Sequence, residues 1–254
     1  MKGYHAFVKK EWMESLRTYR ALLLPAVFFL FGMMSPLAAK LMPDIFSGMN
    51  MEGVTITVPT PTAIDAYAQL FKNLTQMGIV VLLLVFSGML SGEIAKGTLI
   101  PILTKGLSRN TVILAKYTVS LALWTVSLAV SCASAYGYTS YLFRNAQVEH
   151  LLFSVFCLWL FGALLLAFIL LAGALVRGGF GGLILTAAFI GILLLANLFP
   201  AAEKWNPVSL AAKNMQIIAG TVAVGAMMPA VCLTLAAAVL CLVLSMAVFR
   251  KTIL

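Results

Sequence analysis

Charge is what this sequence has least of. Only 10% of its 254 residues are Asp, Glu, Lys or Arg, against about 25% in soluble domains. With 62% hydrophobic residues and a mean hydropathy of +1.04, the chain cannot cover a water-facing surface. That excludes a soluble globular enzyme, and the apolar content equally excludes disorder. Histidine is scarce: His5 and His150 are far apart, and no HExxH or comparable cluster exists to hold a metal. The four cysteines, Cys132, Cys157, Cys232 and Cys241, all sit inside apolar runs. They read as small buried hydrophobes, not as a loop-borne disulfide framework. No GxxxxGK[ST] string occurs, so the chain has no Walker A loop for ATP. The Arg177–Gly182 glycine run reads as a tight turn. Nor is there a GxSG string, or a nucleophile and histidine together at membrane depth, as an intramembrane serine protease needs.

What is present is a series of long runs free of charge: Ala21–Ala39, Asn73–Gly92, Tyr117–Phe143, Leu151–Val176, Gly178–Ala202 and Asn214–Phe249. About 20 apolar residues cross a ~30 Å hydrocarbon core as a helix, so these predict an all-α integral membrane protein with six transmembrane helices. Pro229, with Gly220 and Gly225 before it, offers a break in the last run, giving a sixth span over Pro229–Phe249 and a short interfacial or re-entrant piece at Ile217–Val224. The whole reads as a single transmembrane domain over residues 1–254. Span interiors hold no ionisable group, with Glu93 at the border of span two. An ion-coupled secondary transporter or channel commonly needs one there, which weakens that alternative but leaves it open. A signal peptide is a poor fit, because 20 residues including Glu11 and Glu14 precede the first run.

The basic residues are unevenly spread. With both termini in the cytoplasm, 12 of the 17 Lys and Arg lie inside and 5 outside, the sense expected from positive-inside flanks. The acidic residues Glu11, Glu14 and Glu93 fall inside and the other five outside, so the net +9 is a cytoplasmic feature. The cations are scattered singly between apolar runs, which argues against nucleic-acid binding.

Lys2–Tyr19 has helical periodicity. Tyr4, Phe7, Val8, Trp12, Leu16 and Tyr19 predict one apolar face, with Lys9, Lys10, Glu14 and Arg17 opposite, as in an interfacial elbow helix. Such a helix serves either as an orientation tag or as part of a cytoplasmic docking surface. External segments are expected at 42–72, with Pro43, Pro59 and Pro61 making its first part irregular and a Thr62/Asp65 capping box starting a helix near Ala63, and at 200–224. On span three, Ser120, Ser127, Ser131 and Ser134 share a face. They permit close helix packing or line a substrate path, and Asn197 in span five is open in the same way. The longest inner loop is Ser91–Tyr117, in which Glu93–Leu103 predicts a short helix interrupted at Pro101, and Ser108 caps the next helix.

That loop resembles the signature after the second span of type-2 ABC exporter permeases, also called type V exporters. The pattern is carried by Glu93, Gly97, Thr98, Leu99, Leu103, Ser108, Arg109 and Lys116, with Gly106 where the family often has Pro. The elbow helix, six spans and extra segment before the sixth match as well. The resemblance implies a permease that pairs with a second copy or homologue in the bilayer. It also implies docking of a separate ATPase, the subunit that uses ATP and Mg, at this coupling helix and at an elbow surface shaped by Lys9, Lys10 and Glu14. No cofactor is then expected in this chain. Phe31–Lys40 and Gly92–Lys116 look similar to permeases of Gram-positive peptide exporters, including those for cytolytic modulin-type peptides. The implied cargo is amphipathic or hydrophobic. Ser127, Ser131, Ser134 and Asn197 are the candidates for its path.

Overall fold

The computed structural model describes residues 2–48, 60–143, 148–176, 178 and 180–251. Arg177 and Gly179 of the glycine run, Arg144, and 49–59 of the first external segment lie outside them. Among the described residues every regular element is helical. Five helical stretches are long and apolar enough to span a bilayer, and a shorter apolar helix joins them.

Helix α1 covers Lys2–Arg17 and α2 covers Arg20–Gly48. The turn between them is two residues long, and Tyr19 holds it in the left-handed region at φ 59°. The face that α1 buries differs from the aromatic face expected. Phe7, Glu11 and Ser15 are buried, whereas Trp12, Leu16 and Tyr19 stay exposed. Positions 7, 11 and 15 stack at i, i+4 and i+8, so a carboxylate lies in the protein-facing stripe while Trp12, Leu16 and Tyr19 face outward.

α2 runs further than its charge-free stretch. It continues through Pro43 to Gly48, with Pro25, Pro36 and Pro43 all inside it, so Pro43 does not interrupt it; Pro59 lies outside the described residues. Proline is tolerated in apolar membrane helices because neighbouring groups satisfy the freed carbonyls.

The second spanning stretch, Ala63–Ala95, is composite. α3 (Ala63–Asn73) starts where the capping box places it: the Asp65 carboxylate accepts from the Thr62 backbone N and hydroxyl, both at 2.8 Å. A π-helical turn at Leu74–Gly78 leads into α4 (Ile79–Phe86) and α5 (Ser91–Ala95). The chain then breaks at Gly97 (φ 67°), not at Pro101; the proline lies in the first turn of α6 (Ile100–Thr104), where its missing N–H costs nothing. Gly106 takes φ 90°. Proline, fixed near −65°, cannot adopt that angle, so this chain turns differently from the Pro-bearing family pattern. Ser108 then caps α7 (Arg109–Leu142), its Oγ accepting from Thr111 N at 3.2 Å.

α8 (Leu151–Leu175) is the most enclosed span, and α7, α9 and α13 pack on it. α9 (Gly181–Ala196) has 16 residues, about 24 Å at 1.5 Å each. The fifth apolar run is thus shorter as a helix than as a sequence, because turns at Asn197–Phe199 end it. After it come α10 (Pro200–Glu203), α11 (Ser209–Ala212) and α12 (Asn214–Ile218). α13 runs from Val224 to Lys251 with Pro229 inside it. The break before the last span therefore falls at Gly220 (φ 71°), one of the three positions expected to offer it, and not at Pro229.

Close approach of backbones holds the bundle. Trp124 on α7 is fully buried, meets Phe28 of α2 edge-on at 5.5 Å, and donates from Nε1 to Trp159 O at 3.0 Å. Gly162 of α8 leaves room for its ring, and Gly32 of α2 lies against Ser131 and Ser134 of α7. A Cβ at Gly32 would collide with Ser134 Oγ and the Ser131 carbonyl, and overpacking of this kind costs about 1–3 kcal/mol. Gly32→Ala and Gly162→Ala should each lower the unfolding midpoint of the detergent-solubilised protein followed by tryptophan fluorescence. Gly137→Ala, which meets nothing within 4 Å, should not.

Candidate functional site: a buried ion-pair cluster at one end of the bundle

Three separate elements bring five charged side chains together: α1 supplies Lys10, Glu11 and Glu14, α5 supplies Glu93, and α7 supplies Lys116. Lys116 is 1% exposed. Its ammonium donates to both Glu11 oxygens at 3.0 Å. It also lies 2.9 Å from Glu93 Oε2, within ion-pair range though off the hydrogen-bonding direction. Lys10 sits at the outer edge and bridges Glu11 at 2.9 Å, Glu14 at 2.6 Å and Glu93 at 3.0 Å. A buried ammonium is costly unless paired and hydrogen-bonded, so Lys116 requires α1 and α5 to be in place.

Charge interactions settle the protonation of the outer pair. Burial works against the Lys10 ammonium, but hydrogen bonding to Glu14 and the charge of Glu11 outweigh it and hold its pKa well above the ordinary lysine value. Burial likewise favours neutral Glu14, yet the Lys10 hydrogen bond and the nearby cations keep its pKa below the ordinary carboxylate value. The carboxylates of Glu11, Glu14 and Glu93 lie within 4.8 Å of one another, close enough in spacing for a metal. Two ammonium groups already supply the cations between them.

The rest of the inner loop lies beside the cluster. Leu99 is buried, Leu103 is half-buried, and Thr98 Oγ1 donates to Glu93 O at 3.3 Å. Gly97 makes the turn between α5 and α6. Lys9 is exposed. Arg109 joins a different partner: its Nη1 donates to Phe249 O at 2.7 Å and Arg250 O at 3.2 Å, and its guanidinium sits 5.7 Å from the Phe249 ring. Arg250 Nε returns a bond to Asn110 Oδ1 at 3.0 Å. The first turn of α7 thereby holds the last turn of α13, whose carbonyls lack helical partners. Eight residues of the loop pattern thus divide between a cluster around Glu93 and Lys116 and a clamp at Arg109.

The serine stripe lies in helix contacts. Ser127 and Ser131 are fully buried, Ser127 donates to Leu123 O at 2.7 Å, and Ser134 donates to Ser131 O at 2.9 Å. Asn197 Oδ1 accepts from Ser209 at 3.1 Å and ties the end of α9 to α11. None of the four borders the main cavity, which has a volume of about 590 Å³ and lies at the opposite end of the molecule, between α2, α3, the π turn and α11–α12.

Sequence reasoning missed Glu11 as a cluster member. The available signal was an acid in register with Phe7 and Ser15. It also missed the polar lining of the cavity, including Gln69, Gln76 and Asn214, because Asn214 opens a run counted as apolar.

The profile described as ABC-2 family transporter protein matches residues 5–252, which takes in both the cluster and the clamp. The chain belongs to the ABC-2 transporter family. A relative, the uncharacterized transmembrane protein YxlG of Bacillus subtilis (strain 168), is 24% identical over 227 residues, covering 86% of each chain. The ABC-2 chain is accordingly a multi-pass protein of the bacterial plasma membrane.

Two predictions concern the cluster. Removing one partner of a buried ion pair costs about 3–5 kcal/mol, so Lys116→Met should lower unfolding stability by about that much in detergent. Adding Glu11→Gln and Glu93→Gln to it should recover a large part. With pH, the Glu14 contribution is complete above its ordinary value of 4.5 and is lost as pH falls through its lowered pKa; that of Lys10 is complete below 10.5 and is lost only as pH rises through its raised pKa. Docking of α1, read from the distance between spin labels at Ala6→Cys and Leu114→Cys, should stay constant from pH 4.5 to 10.5 and loosen below that window.

Proposed function

We propose that this chain is the membrane-spanning permease subunit of an ATP-binding-cassette exporter. It moves an amphipathic or hydrophobic substrate, a peptide or drug-like molecule, out of the cell. A separate ATPase subunit, which binds ATP and Mg, supplies the energy, and a second permease copy or homologue completes the path. In this reading both termini face the cytoplasm, and the ATPase docks where α1 and the α5–α6 segment meet.

One observation carries the reading: a buried lysine on a spanning helix is neutralised by the elbow helix and by the loop segment together. A push on α5 or α1 displaces a carboxylate from Lys116, and the low-dielectric surroundings make that displacement costly. The load passes to α7 through Glu11–Lys116–Glu93 and to α13 through Arg109. Membership of the ABC-2 family supports a transporter role. The inner concentration of basic residues supports the orientation.

The chain, tagged and co-expressed with its neighbouring genes, should bring down an ATPase bearing a Walker A loop. Glu93→Ala and Arg109→Ala should reduce ATP-driven transport several-fold while the protein still inserts in the membrane. Recovery of no ATPase, or unchanged ATP-driven transport in both variants, overturns the proposal. Transport driven by a proton or sodium gradient in ATP-free vesicles would favour an ion-coupled carrier instead.

A further inference from the structure

We propose that the cavity opposite the ion-pair cluster binds a peptide segment, through an apolar body and at least one backbone N–H donor. This deepens the exporter reading by naming a site and a ligand class, and it rests on that reading only for the direction of transport. About 590 Å³ is available, within the ~300–1,000 Å³ range of built ligand sites. The walls come from elements distant in sequence, and Lys40, beside the cavity on α2, lies about 30 Å along the helix from Arg20 at the cluster end.

The chemistry of the lining selects the ligand. Much of it is apolar, from Ala39, Ala68, Phe71 and Met215. Asn214 is one of the lining residues and is 1% exposed. Its Nδ2 donates to Ala211 O at 3.1 Å, and its Oδ1 has no partner among the described residues. A buried acceptor left unpaired carries a desolvation penalty, which an incoming N–H donor relieves. The same Ala211 carbonyl accepts from Thr75 at 3.4 Å, so α11 is fastened to the π turn that places Thr75 and Gln76 on the cavity wall.

Polarity also continues inward from the wall. Gln69 Nε2 donates to Asn73 Oδ1 at 3.3 Å, Asn73 Nδ2 to Ser35 Oγ at 3.0 Å, and Ser35 Oγ to Phe31 O at 2.6 Å. This chain of bonds fixes the Gln69 amide at the wall. Asp65 and Lys72 give the rim both signs of charge. A hydrocarbon would leave Asn214 Oδ1 unpaired, and a small ion would leave the apolar walls uncovered. A peptide segment offers side chains to those walls, and alternating N–H and C=O groups to Asn214, Gln69 and Gln76.

The test uses the full chain in lipid nanodiscs without any ATPase. The probe is a short fluorescein-labelled peptide of alternating Leu and Lys, whose extended backbone leaves its N–H groups free, followed by anisotropy, with empty nanodiscs as the blank. Saturable binding above the blank is expected. Ala212→Trp, which fills the cavity from an exposed position, and Ala68→Phe should each weaken it at least tenfold. Asn214→Leu should weaken it about tenfold, and a backbone N-methylated peptide should bind the unmodified chain weakly and be insensitive to Asn214→Leu. Equal binding by the native chain and both filling variants, or binding no greater than the blank, overturns the proposal. Tryptophan-fluorescence unfolding confirms that each variant is folded. Recovery of an ATPase without peptide binding would sink this site and leave the exporter reading intact; peptide binding without an ATPase would do the reverse.

Discussion

The structure depends on one buried cation. Lys116 sits near the N-terminal end of a 34-residue helix, in surroundings where an ammonium is tolerated only with carboxylates against it. Neither carboxylate comes from its own helix. Glu11 arrives from the elbow and Glu93 from the loop after the second span, so the lysine makes two peripheral elements obligatory parts of the bundle. Hydrophobic burial alone would let α1 slide along the surface, since its exposed aromatics suit any interfacial position. The ion pairs fix its register.

The two ends of the molecule contrast in chemistry. At the end that holds Lys116, full charges are locked together at 2.6–3.0 Å, and a change in their arrangement is expensive. At the other end, a cavity is lined by amides, small residues and flexible methionine, where rearrangement is cheap. The helices between carry almost no polar groups beyond hydroxyls bonded back to their own turns.

Much of this was legible in the sequence. Charge-free runs located the spanning helices, and the positive-inside count singled out Glu11, Glu14 and Glu93 as the acids of one side, the same three carboxylates that converge on Lys10 and Lys116. The Thr62/Asp65 and Ser108 caps marked helix starts correctly because capping is local. What failed was non-local or depended on context. Pro101 and Pro229 mark breaks in the sequence, but α13 runs through Pro229 and Pro101 opens a helix; Gly97 and Gly220, the latter expected to share the second break, take positive φ there. The buried face of α1 was misassigned because hydrophobicity marks a face that avoids water without distinguishing lipid from protein. The cavity was invisible because its walls come from residues more than 100 positions apart.

The short joint at Thr18–Tyr19 acquires a meaning once three contacts are taken together. α1 is joined to α2 through that left-handed turn, α1 to α7 through Glu11 and Lys116, and α2 to α7 through Gly32 lying on Ser131 and Ser134. Three struts pinned pairwise form a triangle, and a triangle, unlike a hinged chain, cannot change shape without stretching a side. A force on the elbow therefore tips the first and third spans as one truss, while α13 connects to that truss through Arg109.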